Sequence, residues 1–285
     1  MQRIALTLAY DGSRFDGWQT QPSGRTVQDV LEASLAALAG HPVRVVCAGR
    51  TDAGVHATAQ VVHFDTSAQR PLQAWVRGVN ARLPDAVAVL DACFAPAGFH
   101  ARYSALRRHY AYLLHCAPVA HPLLTGRVGW EFRPVDVAAM QAGAACLLGE
   151  HDFSAFRAAQ CQAKSPVRTL ERLAVTPLAD LVVLEFSANA FLHHMVRNIV
   201  GALVAVGAGR QPPEWIGQLL ASRDRRQGAA TFTGAGLYLA GVDYDGDMGR
   251  RVGRAPGLAG LSALAGSMAA ADGLPTWSGR AGDSP

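Results

Sequence analysis

The sequence predicts an α+β fold made of two lobes. Segments with strand and helix patterns alternate in two successive mixed sets, the first ending near Ser104 and the second near Asp245. Half of the 285 residues are hydrophobic, which is enough for one large core or for two ordinary domains of about 100 to 150 residues each. We therefore predict an N-terminal lobe over residues 1–104 and a C-terminal lobe over residues 105–245, followed by a disordered tail over residues 246–285.

The first lobe combines alternating or β-branched runs with two helical patterns. The predicted strands are IALTLAYDG, VRVVC, QVVHF and AVAVLDACFA. The first helix is predicted in TVQDVLEASLAALAG, where Thr26 can act as N-cap with Asp29 three residues later. The second is predicted in PLQAWVRGVNARL, whose apolar residues share one helical face: Leu72, Val76, Val79 and Leu83.

The second lobe repeats this mixture, and the chain then changes character. Its predicted strands are RHYAYLLHC, LERLAVTPL, LVVLEFSA and GLYLAGVDY, and its predicted helices are VDVAAMQAGAACLLG, AFLHHMVRNIVGALVAVG and PEWIGQLLAS. After Asp245 the sequence is rich in Gly, Ala, Ser and Pro, with no sustained period of either kind. This composition is typical of segments that do not fold.

The composition argues against a membrane protein and against a structural zinc site. The longest apolar stretch in the body of the chain, residues 199–209, falls well short of the roughly 20 residues that span a bilayer. The five cysteines are odd in number and widely spaced, without the spacing of a structural zinc site. We therefore expect a cytoplasmic protein with no membrane partner.

The basic residues favour a nucleic-acid partner without proving one. Lys164 is the only lysine among 26 basic residues, and the formal net charge is +4. The planar guanidinium of arginine suits phosphates and stacking on bases. A GC-rich genome that encodes Arg in place of Lys explains the same composition equally well.

Residues 47–57, CAGRTDAGVHA, place one acid and one base among small side chains. The two glycines suggest a phosphate loop, but the Lys-Ser/Thr pair of such a loop is missing. A carboxylate on a glycine-rich loop can act as nucleophile or base, and small neighbours allow a planar ligand to approach Asp52. An Asp beside Gly more commonly bonds its own turn. From local sequence alone the turn is the more frequent outcome.

One carboxylate and four histidines are candidate ligands for a metal ion. The candidates are Asp52, His56, His63, His193 and His194. Adjacent histidines on a predicted helix point about 100° apart, unlike the i,i+4 pair of a zinc protease, and the other spacings match no ligand motif. We therefore expect structural histidines and no metal.

Two stretches have the composition of RNA-contacting segments. FHARYSALRRHYAY interleaves aromatic rings with arginines, a mixture that stacks on bases while following a backbone, although an amphipathic edge strand has the same pattern. FRAAQCQAKSPVR places Arg157, Lys164 and Arg168 in a polar segment without a regular period, which fits an RNA-binding loop or an ordinary loop.

A third stretch, FLHHMVRN, supplies a candidate partner for a carboxylate. His193 and Arg197 are four residues apart and would share one face of the predicted helix. Arg197 is therefore a candidate counter-charge for a buried acid, or an ordinary surface charge.

Taken in order, these motifs resemble those of the A-type tRNA pseudouridine synthase family. The matching pieces are YDGSRFDGWQ with Gln28 after it, AGRTDAGVHA, FHARYSA, RRHYAY, the FRAAQCQAKSPVRT loop, ANAFLHHMVRNIVG and GLYLAGVDY. They cover nearly all of the chain from Tyr10 to Tyr244. The resemblance implies two similar mixed α/β lobes around a basic cleft, each an antiparallel-rich sheet with helices on one face, and a homodimer that acts on the anticodon arm of tRNA.

The resemblance also implies roles for individual residues. Asp52 falls on the catalytic aspartate, Tyr110 on the active-site tyrosine that contacts the substrate, Arg50 on the arginine associated with base flipping, and Arg197 on the basic partner of the aspartate. Two segments match regions that contact tRNA: Phe99, His100, Ala101, Arg102 and Tyr103, and Gln160, Cys161, Gln162, Ala163 and Lys164.

The implied reaction converts uridine to pseudouridine at tRNA positions 38, 39 and 40, without redox change or net hydrolysis, so we expect no cofactor. Asp52 would attack C1′ of the ribose or C6 of the ring, or abstract the 2′ proton, and the sequence leaves all three open. Tyr110 would stack on the uracil and help to remove the C5 proton. A non-catalytic RNA-binding module and a metal-dependent hydrolase are the alternative functions.

Overall fold

One continuous β-sheet organises the computed structural model, which describes residues 1–252 of the chain. Ten strands in this part of the chain run in the order β4-β1-β3-β10-β5-β9-β8-β7, with β2 paired to β3 and β6 to β5. The strands are β1 (Gln2–Tyr10), β2 (Val46–Cys47), β3 (His56–Thr66), β4 (Val87–Ala95), β5 (Ala105–Cys116), β6 (Gly129–Glu131), β7 (Gly149–Asp152), β8 (Val167–Leu178), β9 (Leu181–Ala188) and β10 (Leu237–Tyr244).

Helices connect and cover the strands. They are α1 (Val27–Ala39), α2 (Leu72–Asn80), α3 (Val137–Ala145), α4 (Met195–Gly207), α5 (Trp215–Ser222) and α6 (Gly246–Arg251). Within residues 1–252, none of these helices combines the length and apolar character that a membrane crossing requires.

The two halves of the sheet meet at β3 and β10. Most strand pairs are antiparallel, as in β1 with β3 and in β5 with β9, but β10 runs parallel to β3 through the pairs Tyr238↔His56 and Leu239↔Ala57. The last strand therefore lies between the halves and pairs with β5 on its other side. The loop that precedes β3 consequently reaches the middle of the sheet, where both halves can supply side chains.

This mixed, mostly antiparallel architecture confirms the predicted α+β class. One large hydrophobic core spans both halves of the described chain, and its largest fully buried side chains include Trp18, Trp75, Phe64, Tyr112 and Phe186. The division into residues 1–104 and 105–245 stays a prediction, since the sheet itself is continuous across it.

Helix α1 forms as its capping residues predict. The Thr26 hydroxyl accepts a hydrogen bond from the Asp29 N–H at 3.2 Å, and Gly40 ends the helix in the left-handed region with φ 77°. Both features satisfy backbone groups that a helix end leaves unpaired.

Several predicted boundaries were wrong. Only Val46–Cys47 of VRVVC pairs in the sheet, the strand Gly149–Asp152 falls where the helix from 135 was predicted to end, and α4 begins at Met195, after the two histidines. The predicted disorder from residue 246 is wrong for its first residues, which form α6 with Met248 and Val252 buried against the core. The remainder of the predicted tail lies outside the described residues.

Candidate active site

Buried polar side chains fix the loop that carries Asp52. The Gln60 amide brackets Gly49, accepting from its N–H at 3.3 Å and donating to its carbonyl at 2.6 Å. The Tyr10 and Thr51 hydroxyls hydrogen bond to each other at 2.8 Å. The loop therefore rests on side chains of β1 and β3 and leaves Asp52 as its partly exposed acid.

The connection between β1 and α1 packs closely against the same loop. The Trp18 N–H donates to the Thr51 carbonyl at 2.9 Å. A Cβ atom added to Gly12 would lie only 2.0 Å from the Val55 carbonyl oxygen, so the two backbones approach as only glycine permits. The YDGSRFDGW stretch thus supports the Asp52 loop from outside the sheet.

Three side chains from the start of α4 and the turn before it surround the Asp52 carboxylate. Arg197 Nη1 lies 3.1 Å from Asp52 Oδ2 and forms a hydrogen-bonded ion pair, while its Nε donates to the Phe232 carbonyl at 2.8 Å. His194 Nε2 lies 3.3 Å from Oδ2, and His193 Nε2 lies 3.3 Å from Oδ1. The ion pair predicted from the sequence is therefore present, and both histidines join it.

The prediction that His193 and His194 point about 100° apart on a helix was wrong. Both residues precede α4, and His194 has a left-handed backbone with φ 61°. This conformation is unfavourable for a residue other than glycine and is typical of functional sites. It brings the two rings to 4.0 Å between centroids, so that both face one carboxylate. Burial lowers the pKa of His194, an effect that the Asp52 charge partly opposes.

Tyr110 presents a protonated hydroxyl near the carboxylate. Its ring is buried on β5 and meets Phe191 edge to face at 5.1 Å. Burial, with a smaller contribution from the Asp52 charge, raises the pKa of Tyr110. A Cβ atom on Gly49 would lie 3.5 Å from the hydroxyl, so the absence of a side chain there leaves the hydroxyl space. This hydroxyl is a poor base at neutral pH.

These groups lie in a cleft of about 880 Å³ that both halves of the chain line. Its lining brings together most of the residues that the sequence analysis selected: Arg50, Asp52, Arg102, Tyr110, Gln160, Cys161, Gln162, Ala163 and Arg197. Arg50 is exposed there and makes no ion pair or hydrogen bond with a described residue. Its guanidinium is available to a ligand.

The segment 99–103 divides into buried and exposed positions. Phe99 and Ala101 lie in the core, where Phe99 packs on Tyr244 with ring centroids 5.0 Å apart, so their side chains cannot reach RNA. Tyr103 is 77% exposed and stacks on His100 at 4.4 Å. An RNA contact by side chains of this segment therefore falls to His100, Arg102 and Tyr103.

The segment 160–164 shows a similar division. Gln160, Gln162 and Lys164 are exposed, whereas Cys161 and Ala163 pack partly against the core. The exposed side chains are the ones that can contact a ligand, and Gln160 and Gln162 line the cleft directly.

Arg108, which the sequence analysis grouped with the RNA-contacting arginines, has a structural role. It donates hydrogen bonds to the carbonyls of Ala48 at 3.2 Å, Arg102 at 2.5 Å and Asn189 at 2.9 Å. These acceptors lie in three separate loops at the cleft. No local sequence signal distinguishes an arginine that makes these structural hydrogen bonds from a solvent-exposed arginine.

The other two histidines that the sequence offered as metal ligands, His56 and His63, have structural roles. His56 accepts from the Gly12 N–H at 3.1 Å, and its other ring nitrogen lies 2.9 Å from the Gly126 carbonyl. Asp52, His193 and His194 alone cluster, with ligand atoms within 4.8 Å of one another among the described residues. The Arg197 guanidinium already pairs with that carboxylate, so a cation there would compete with a fixed positive charge.

Acid should destabilise the fold through His63. Its Nδ1 accepts from the Ala101 N–H at 3.1 Å, and burial lowers its pKa from 6.5 to about 4. Between pH 6.5 and about pH 4, His63 is therefore protonated in the unfolded chain but neutral in the folded chain. The free energy of unfolding consequently falls as the pH falls through this range. His63→Asn keeps an acceptor near Nδ1 without titrating. We expect the stability of the unmodified protein relative to this variant to decrease from pH 7 to pH 4.5 in chemical denaturation, and a constant difference would contradict the assignment.

Comparison with known proteins places the chain in a family. A sequence model described as tRNA pseudouridine synthase matches residues 7–104 and 144–245. This covers more than half of the chain, and the chain belongs to the tRNA pseudouridine synthase family.

Relatives with high identity carry a more specific name. A tRNA pseudouridine synthase A of Aromatoleum aromaticum is 59% identical over 242 residues, which cover 85% of this chain and 92% of that protein. A tRNA pseudouridine synthase A of Neisseria gonorrhoeae is 58% identical and covers 87% of this chain and 94% of its own. These findings confirm the family resemblance of the sequence motifs.

Among solved structures, a chain of a Cbf5-Nop10-Gar1 complex covers 85% of this chain at 10% identity, with a TM-score of 0.37. This chain spans half the length of that one. The likeness is too weak to support an argument.

Proposed function

We propose that this protein isomerises uridine to pseudouridine in the anticodon arm of tRNA, at positions 38, 39 and 40. The observation that carries the proposal is the Asp52 carboxylate, paired with Arg197 at 3.1 Å in a cleft lined by arginines from both halves of the chain. Relatives named tRNA pseudouridine synthase A support tRNA as the substrate.

The reaction breaks the bond between N1 and C1′, turns the uracil and joins C5 to C1′. Arg197 donates a hydrogen bond to Asp52 Oδ2 at 3.1 Å and so orients the carboxylate in the cleft, where Oδ1 lies 3.3 Å from His193. The carboxylate attacks C1′ of the ribose or C6 of the ring, or takes the 2′ proton. Small residues around it, Gly49 and Ala53 among them, provide space for a ribose and a turning base.

A uridine inside a stem must leave the helix before Asp52 can reach it. Flipping a base costs a few kcal/mol, and a side chain that fills the vacated position offsets part of this cost. Arg50 is exposed two residues from Asp52 and is not engaged by other described side chains. We assign it this role, and we assign the contacts along the arm to His100, Arg102, Tyr103, Gln160, Gln162 and Lys164.

Binding of tRNA should depend steeply on salt. If arginines of the cleft neutralise phosphates, affinity falls linearly with salt on logarithmic axes. Replacing Arg102 by Gln should weaken binding and reduce the slope by about 1, measured by filter binding over a salt series. Arg82→Gln is the matched control, because Arg82 is also exposed but does not line the cleft. A flat salt response would contradict the basic-cleft assignment.

The proposed activity is tested by mapping pseudouridine in tRNA transcripts after reaction, with and without a chelator. We expect modification at positions 38, 39 and 40 that EDTA does not change. Modification elsewhere in the tRNA would refute the anticodon-arm assignment. Loss of activity with EDTA and cleavage of the RNA would indicate the metal-dependent hydrolase, and binding without modification would indicate the RNA-binding module.

Two further features belong to the proposal. A homodimer is supported by the family resemblance, and light scattering of the purified protein tests it. Action in the cytoplasm is supported by the five cysteines, which are all free in the described part of the chain.

A further inference from the structure

The proposed isomerisation must move a proton, whichever atom Asp52 attacks. Uridine carries hydrogen on C5 and none on N1, whereas pseudouridine carries hydrogen on N1 and none on C5. Once C5 has bonded to C1′, its proton has to pass to a base in the cleft before the ring regains its double bond. The identity of this base is a question that rests on the proposed function.

Few groups near Asp52 can accept a proton at neutral pH. Arg197 is a cation, and burial keeps Tyr110 protonated. Asp16, which also lines the cleft, forms an ion pair with Arg25 at 3.3 Å. The Asp52 carboxylate is itself held by the Arg197 cation at 3.1 Å. The imidazoles of His193 and His194 remain, and apart from their contacts with Asp52 neither side chain hydrogen bonds to another described residue.

The Asp52 carboxylate distinguishes between the two histidines. Arg197 and His194 both approach Oδ2, at 3.1 and 3.3 Å. His193 Nε2 approaches Oδ1, at 3.3 Å. The side chain of His193 is 40% exposed toward the cleft, compared with 26% for His194. His193 is therefore the more exposed of the two imidazoles that contact the carboxylate.

The backbone holds His193 in this place. Its carbonyl accepts a hydrogen bond from the Ala158 N–H at 3.0 Å, and the left-handed His194 that follows turns the chain into α4. The left-handed backbone of His194 thus directs both rings at Asp52.

We propose that His193 is the catalytic base that removes the C5 proton. Its Nε2 takes the proton from C5, and the electron pair of the C–H bond forms the C5–C6 double bond. At the same time the C6–N1 π pair moves onto N1 or, where Asp52 has added to C6, the Asp52 oxygen leaves C6 with its bonding pair. The imidazolium then returns a proton to N1 or to solvent, so that the isomerisation is balanced without any added reagent. His194 and Arg197 keep the carboxylate oriented from its other oxygen.

His193→Gln tests the proposal with tRNA carrying hydrogen or deuterium at uracil C5. We expect single-turnover conversion to slow on the order of 100-fold, with unchanged tRNA affinity and a primary deuterium isotope effect that the unmodified protein lacks or shows weakly. In His193→Ala, added imidazole should restore part of the rate. His109→Gln is the matched control, because His109 pairs with Asp243 at 2.9 Å and does not line the cleft.

Conversion by His193→Gln at the rate of the unmodified protein would overturn the proposal. A slow variant with no isotope effect and no response to imidazole would also overturn it, since His193 would then only shape the carboxylate. Both outcomes are distinguishable from failure of the proposed function, in which the unmodified protein itself makes no pseudouridine.

Discussion

Asp52→Asn is expected to abolish pseudouridine formation while tRNA binding survives. Asparagine keeps the shape of the side chain, but it is neither an effective nucleophile nor a base. We expect single-turnover conversion to fall by at least about 10⁴-fold, the scale seen when a nucleophile is removed. Affinity for tRNA should stay constant or rise, because Arg197 loses its 3.1 Å partner and its charge becomes available to phosphate. Nucleoside chromatography and filter binding measure the two quantities.

Asp16→Asn is the matched control for this variant. Asp16 also lines the cleft but is paired with the exposed Arg25. We expect conversion by this variant to remain close to that of the unmodified protein. Substantial pseudouridine formation by Asp52→Asn would show that another group carries the chemistry.

Arg197→Met is expected to produce the second largest loss. Methionine fills similar space but removes the hydrogen-bonded cation from Asp52 Oδ2 and the donor to the Phe232 carbonyl. Removing one oriented donor from a catalytic centre typically costs about 10²-fold to 10³-fold in turnover. Single-turnover kinetics measure this loss, and we expect it to exceed any change in tRNA affinity.

Two further variants serve as controls: Arg197→Lys keeps the charge, and Arg172→Met removes a surface arginine. Lysine keeps the charge but lacks the fork that contacts Asp52 and Phe232 together, so an intermediate rate is expected. Arg172 pairs with Glu185 at the surface with 60% of its side chain exposed, and its loss should have little effect. A rate for Arg197→Met within threefold of the unmodified protein, about 0.7 kcal/mol, would contradict a catalytic ion pair.

Sequence reasoning recovered the features that depend on local chemistry. Thr26 and Gly40 bound α1 through capping preferences that act over a few residues. Asp52, Tyr110 and Arg197 were selected as one site because separate motifs matched one family in order, and the structure brings them into one cleft. Local sequence around Asp52 favoured an ordinary turn and could not have made this selection.

The remaining features depend on contacts between distant residues. Phe99 is buried because Tyr244, at the end of β10, packs against it. Arg108 is structural because it donates hydrogen bonds to carbonyls of three loops that are distant in sequence. His193 and His194 follow a helical pattern in sequence, yet the turn before α4 directs both at Asp52. A positive φ at a histidine has no sequence signature, so this part of the site required the structure.

Release of tritium from tRNA labelled at uracil C5 tests the central claim most directly. Joining C5 to C1′ requires loss of that hydrogen, whereas RNA binding and phosphodiester hydrolysis leave it in place. We predict that the unmodified protein releases tritium to water in step with pseudouridine formation, with and without EDTA, and that Asp52→Asn releases none. Bound tRNA that keeps its label in the presence of the unmodified protein would contradict the account.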